Sequence, residues 1–175
     1  MRKPIFLSLL FGTLPILQGG TIGFVYAAGS FDYINVPGMD YAVAQDINNA
    51  GGIAGIFIDT AGLHGFLYNA GSFTAINVPG APTDARGINN AGQIVGGFGN
   101  PAETSGYVST SGSFTRIDVP GAISTRAEGI NDAGAIAGEY LGSAQHAFID
   151  VGGSFTTFDV PDAISTAAYG INNAG

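Results

Sequence analysis

The word INNAG at residues 88–92 recurs unchanged at 47–51 and 171–175, and a fourth copy at 130–134 differs only in Asp132. Asn tolerates the left-handed region and bonds its own backbone two residues on, and Gly takes positive φ freely. The word therefore reads as a turn, with Asn48, Asn89 and Asn131 as its structural residues. Its copies stand 41, 42 and 41 residues apart. Outward from it, Gly-Ser-Phe recurs at Gly29, Gly71, Gly112 and Gly153, spaced 42, 41 and 41. Val-Pro recurs at Val36, Val78, Val119 and Val160 with the same spacings. Markers kept in one order, with one-residue slips, define a tandem repeat whose period suits a propeller blade or a helical unit.

Helical units are excluded by the several Gly in every repeat and by the lack of a 3.6-residue apolar period. Strands fit better. Along residues 72–80, Thr74, Ile76 and Val78 alternate with Phe73, Ala75 and Asn77, so one set faces in and the other out. The inward pairs are Ile34/Val36, Ile76/Val78, Ile117/Val119 and Phe158/Val160, and the Pro that follows ends each strand. In the third unit four strands are expected near 125–131, 135–140, 146–150 and 155–160. The expected fold is all-β, built of four-stranded, propeller-like blades.

About three and a half such units are present, against the four to eight blades of a typical propeller. The ring is therefore expected to be incomplete, and the sequence to be a fragment of a longer one. If nothing followed Gly175, self-association of open arrays would be the expectation.

Composition sets further bounds. The chain has 175 residues, 29 of them Gly, with 46% apolar and 10% charged side chains, so it can bury a core. It has no Cys, which excludes disulfides, thiolate metal sites and a Cys nucleophile. The basic residues are Arg2, Lys3, Arg86, Arg116 and Arg126, against 13 acidic ones. Such a balance repels phosphate backbones and anionic headgroups, so neither nucleic acid nor a membrane surface is an expected partner.

Residues 1–27 read as a signal peptide: Arg2 and Lys3, an apolar run over 4–17, and Val25 and Ala27 at the small-residue positions of a cleavage site. The expected domains are this leader and a repeat domain over 28–175. The expected location is secreted, cell-surface or periplasmic in a bacterium, with no membrane insertion after cleavage. An uncleaved anchor is the alternative, since the uncharged run over 4–28 is long enough to span a bilayer.

Asx-rich turns also invite a Ca²⁺ reading. Only Asp46 and Asp132 flank or enter them, in different units, which is too few carboxylates for a cation site.

The repeat resembles the HAF repeat, a family of bacterial extracellular repeat proteins. The residues that carry the likeness are GINNAGQIVGGF from Gly87, GSFTRIDVPGA from Gly112, TRAEGIN from Thr125, HAFID from His146 and HGFLY from His64. The middle unit departs, with Ser105-Gly106-Tyr107 in place of the naming triplet. The resemblance implies an extracellular location and a propeller-like architecture, with no common activity.

His64 and His146 stand 82 residues apart, two repeats, and a residue that recurs with the period packs blades more readily than it catalyses. Their expected partners are Asn77 and Asp159, from the position before Val-Pro that also holds Asn35 and Asp118. These recurring residues are read as structural. No catalytic residue, metal ligand or cofactor is assigned.

Residues that differ between units are where a ligand site is sought. They are Tyr33, Ala75, Arg116 and Thr157 on the last strand, the divergent connection over 97–107 with Pro101 and Glu103, and Arg86 and Arg126, read as equivalents of Ala44 and Ala168. The expected function is an exported binding or structural module for an extracellular ligand or protein. The competing class is a secreted propeller-type carbohydrate-active enzyme, a lyase or glycosidase, which unique polar residues converging on the channel would favour.

Overall fold

The computed structural model describes residues 6–10, 22–27, 29–34, 36, 39 and 41–175. Four antiparallel sheets follow one another along the chain. The first has three strands, β1 (Phe6–Leu10), β2 (Ile22–Ala27) and β3 (Ser30–Ile34). The second is β4 (Ala42–Ile47), β5 (Ile53–Asp59), β6 (Gly62–Asn69) and β7 (Ser72–Ile76). The third is β8 (Gly87–Ile88), β9 (Ile94–Asn100), β10 (Glu103–Thr110) and β11 (Ser113–Ile117). The fourth is β12 (Ser124–Ile130), β13 (Ile136–Leu141), β14 (Gln145–Val151) and β15 (Ser154–Phe158). Each sheet is a meander of neighbouring strands, the form of a propeller blade, and the described sheets do not close into a ring.

The core lies between blades. Against Ile34 and Val36 of the first blade pack Ala44, Ile53 and Phe66 of the second. The same arrangement joins Ile76 to Ala85, Ile88, Ile94 and Tyr107, and joins Ile117 and Val119 to Ala127, Ile130, Ile136 and Phe148. A Thr fastens the crossing after the second, third and fourth blades: Val78, Val119 and Val160 donate their N–H to the hydroxyls of Thr83, Thr125 and Thr166, all at 3.0 Å, whereas Ala42 holds the matching place after the first. Close approach of the first two strands requires glycine. A Cβ at Gly55, Gly96 or Gly138 would lie within 2.2 Å of the carbonyl oxygen of Val43, Asp84 or Arg126.

Within the stretch read as leader, β2 pairs with β3 as β6 pairs with β7. Ala27 faces Ser30 and Gly23 faces Ile34, as Asn69 faces Ser72 and Gly65 faces Ile76. The cause is visible in GFVYAAGSF at 23–31, a copy of GFLYNAGSF at 65–73. Phe24 is buried as Phe66 is, and each meets the Phe of the next strand, with centroids 5.2 and 5.5 Å apart. The expected cleavage point falls in the turn of this hairpin.

One sequence expectation needs correction: that Phe158 and Val160 face inward. They are 42% and 58% exposed, whereas their repeat-mates Ile117 and Val119 are both 5% exposed. No described blade packs on that side of the fourth sheet. The expected strand near 166–172 runs there without a sheet partner among the described residues.

Candidate functional site

The recurring polar residues bind the blades to one another. Asn89 Oδ1 accepts from the N–H groups of Ala91 and Gln93 at 3.1 and 2.9 Å, closing its own turn. Gly51, Gly92 and Gly134 take φ of 84°, 77° and 80° there. The Asn amide also crosses to the next blade. Nδ2 of Asn48, Asn89 and Asn131 donates to the carbonyl oxygens of Asn89, Asn131 and Asn172 at 3.1, 3.1 and 3.0 Å. A parallel ladder runs one residue on. The N–H groups of Asn49, Asn90 and Asp132 donate to Oδ1 of Asn90, Asp132 and Asn173 at 2.8, 2.9 and 2.9 Å. Asp46 adds a rung, accepting from Ile88 N–H at 2.8 Å, and burial raises its pKa against that bond. Sequence reading found the turn and missed the ladder. The signal was the amide donor left over once the side-chain oxygen had closed the turn.

His64 Nδ1 lies 2.8 Å from Asn77 Oδ1 and Nε2 lies 2.9 Å from Asp59 Oδ1, with the ring stacked on Phe57. The Ala61 N–H bond leads the effects that hold the Asp59 carboxyl below its ordinary range. His146 Nδ1 lies 2.9 Å from both carboxylate oxygens of Asp159, with the ring stacked on Tyr140. In the blade between them Ser105 replaces His, and Asp118 pairs with Arg116 instead. Asn35 lies outside the described residues. Among the described residues no three His, Asp or Glu side chains are placed to hold a metal ion.

Unit-specific charges gather between the third and fourth blades. The Thr fastenings set the alignment of the inner strands: Thr83 matches Thr125, so Asp84 matches Arg126 and Arg86 matches Glu128. Arg86 and Arg126 are therefore not equivalent, which corrects the sequence alignment; the slip arose from anchoring on short words across one-residue insertions. The true pairing places opposite charges at matched positions of adjacent blades.

Arg86 donates to Asp84 Oδ2 from Nε and Nη2, both at 3.2 Å, and to Glu128 Oε2 from Nη1 at 3.3 Å. Burial works against the Arg86 charge, but Asp84 and Glu128 outweigh it and hold its pKa above the ordinary value. Burial pushes the Glu128 carboxyl up to about 7, against the pull of Arg86. The bulge of β12 between Ala127 and Gly129 sets Glu128 at this point.

Arg126 is held differently. Its Nε stands 3.6 Å from Asp84 Oδ2 and its Nη1 stands 3.7 Å from Glu139 Oε1, both beyond hydrogen-bond range. That Nε is buried and has no hydrogen-bond partner. Asp84 Oδ1 is engaged by Gly97 N–H at 2.5 Å, and Glu139 by the Gln145 amide. A Cβ at Gly97 would meet Thr104 Cγ2 at 2.8 Å and Arg126 Nε at 3.3 Å, so the glycine leaves room for both side chains.

Two cavities, of about 220 and 300 Å³, meet at Arg126, Thr104 and Pro101. Glu139, Tyr140, Leu141 and Gln145 line the smaller. Leu63, Pro82, Phe98 and Asp84 line the larger. The divergent connection over 97–107 thus contributes a wall, through Pro101 and Thr104. Glu103 is exposed and belongs to neither cavity.

The blades and their packing define a β-propeller-type array. The chain matches no protein-family model and no curated protein. Among solved structures it is similar to the β-propeller domain of the Trilobed protease from Pyrococcus furiosus, which has an open velcro topology. The TM-score is 0.62 at 10% identity, over 91% of this chain and 50% of that one. The chain spans about half the length of that structure, and the likeness is one of fold.

Proposed function

We propose that this is an exported repeat protein of the HAF-repeat kind, working as a binding module whose ligand sits in the cleft between the third and fourth blades. The observation that supports it is Arg126, held between two carboxylates without a hydrogen bond, where two cavities meet. The Asn ladder recurs with the repeat and is used in holding blades together, while the His64 and His146 sets are used within single blades. Arg126 Nε is sealed from the cavities, but the side chain as a whole is 30% exposed where they meet, so its outer nitrogens can donate to an acceptor that a ligand supplies.

One feature favours the enzyme reading: the Glu128 carboxyl, at about 7, lies in the range of a general acid. Its side chain is only 5% exposed and is engaged by Arg86, so substrate has no route to it. Binding is therefore the reading adopted.

The test is saturation-transfer NMR of the full chain against a mixture of small sugars, sugar acids, amino acids and polyamines. At least one compound is expected to receive saturation, and Gly97→Ala is expected to abolish the signal while leaving the circular dichroism spectrum unchanged. No bound compound, or binding indifferent to Gly97→Ala, contradicts the proposal.

A further inference from the structure

We infer that the ligand of this cleft is a neutral, polyhydroxylated ring, a saccharide unit; the inference rests on the binding reading above. Four ligand chemistries are compared against the same residues. An anion would meet Arg126, but Asp84, Glu128 and Glu139 outnumber Arg86 and Arg126 around it. A cation would find those carboxylates already faced by the two guanidinium groups. A purely apolar ligand would leave Arg126 Nε unpaired in a drier environment, which raises its cost. A hydroxyl group fits both sides, because it accepts and donates at one oxygen.

Arg126 stands 3.6 Å from Asp84 and 3.7 Å from Glu139, too far to bond directly and too close for an oxygen to sit in line between them. The Arg126 and Glu139 side chains instead lie side by side on the wall of the smaller cavity. Neighbouring hydroxyls of one ring, one accepting from the guanidinium and one donating to Glu139, satisfy both. The walls complete the match: Pro101, Leu141 and Phe98 offer apolar surface, and Thr104 and Gln145 flank it with polar groups. Cavities of about 220 and 300 Å³ suit one or two sugar rings and fall at the small end of ligand sites. No covalent step is involved.

The test titrates the full chain with D-glucose, cellobiose, D-glucuronate and D-glucosamine, read by saturation-transfer NMR and calorimetry. Variants are Gly97→Ala, which fills the space beside Nε, and Arg126→Lys, which keeps the charge and removes the planar donor. Melting temperatures identify any variant that does not fold. The expected result is saturable binding of cellobiose or glucose, weakened at least about tenfold in both variants, with glucuronate and glucosamine weaker still. Preference for the acid or the amine, lost in Gly97→Ala, overturns the saccharide class and leaves the cleft standing. Neutral-sugar binding unchanged in both variants places the sugar elsewhere and overturns the assignment. If neither these four nor any compound of the wider mixture binds, both the ligand class and the binding module fail together.

Discussion

Asn89 has two tasks in one side chain. Its oxygen closes a turn within the third blade, and its amide reaches the Asn131 carbonyl of the fourth, at a position only 3% exposed. Asn90, next to it, is exposed and bonds only at the surface. Asn89→Ala is therefore expected to lower stability by about 2–4 kcal/mol, since it orphans buried groups on both blades, and Asn90→Ala by under about 1 kcal/mol. Urea melts of the two variants check the contrast. The turn role was legible in the sequence because Asn-Ala-Gly chemistry is local. The cross-blade role was not, because its acceptor lies 42 residues away. Glu128 carries a second residue-scale prediction. Its carboxyl titrates near 7 when folded and at an ordinary 4.5 when unfolded. Below pH 4.5 both states hold the proton. Between the two values only the unfolded chain releases it, so stability falls as pH rises, by on the order of 3 kcal/mol, and levels off above pH 7. Glu128→Gln is expected to remove this slope; an unchanged slope in the variant would assign the titration to another group.

At the scale of elements, strand boundaries in the last full unit were read to within about two residues, because alternation and the Gly and Pro marks agree there. The strand β2 was overlooked because an apolar stretch near a basic N-terminus also satisfies the pattern of a leader, and composition alone does not separate the two. In the folded chain the segment takes the register of a blade strand. Gly23 packs on Ala44 as Gly65 packs on Ala85, with an added Cβ meeting those residues at 3.2 and 3.1 Å. Removing residues 1–27 would strip β1 and β2 from the first blade and expose Ile34, now 1% exposed. The folded first blade is accordingly expected to need Ile22 and the residues after it. Intact-mass analysis of the folded protein recovered from its host checks this, and an N-terminus at Ala28 would contradict it.

For the whole molecule, the repeat explains the scaffold and its breaks mark the site. One packing pattern serves three interfaces, from Ile34, Ile76 and Ile117 outward, and the Asn ladder ties the same blades at one end. Phe158 and Val160 remain uncovered, which matches an array whose described blades do not close. The site was only partly legible. Arg126, Pro101 and the 97–107 connection stood out as unit-specific in the sequence, yet their meeting point did not. Asp84 precedes β8, Gly97 lies on β9 and Glu139 on β13; they carry no mark of their own, and only blade stacking brings them to Arg126. The central claim is that ligand binding belongs to this one cleft and not to every blade. The most direct test is amide-resolved NMR of the uniformly labelled full chain titrated with cellobiose. The expected shift changes cluster at Gly97, Thr104, Arg126, Glu139 and Gln145. Equal changes at Val43 and Ile56, which hold in the second blade the positions matched to Arg126 and Gly97, or changes confined to the uncovered face around Phe158, would contradict it.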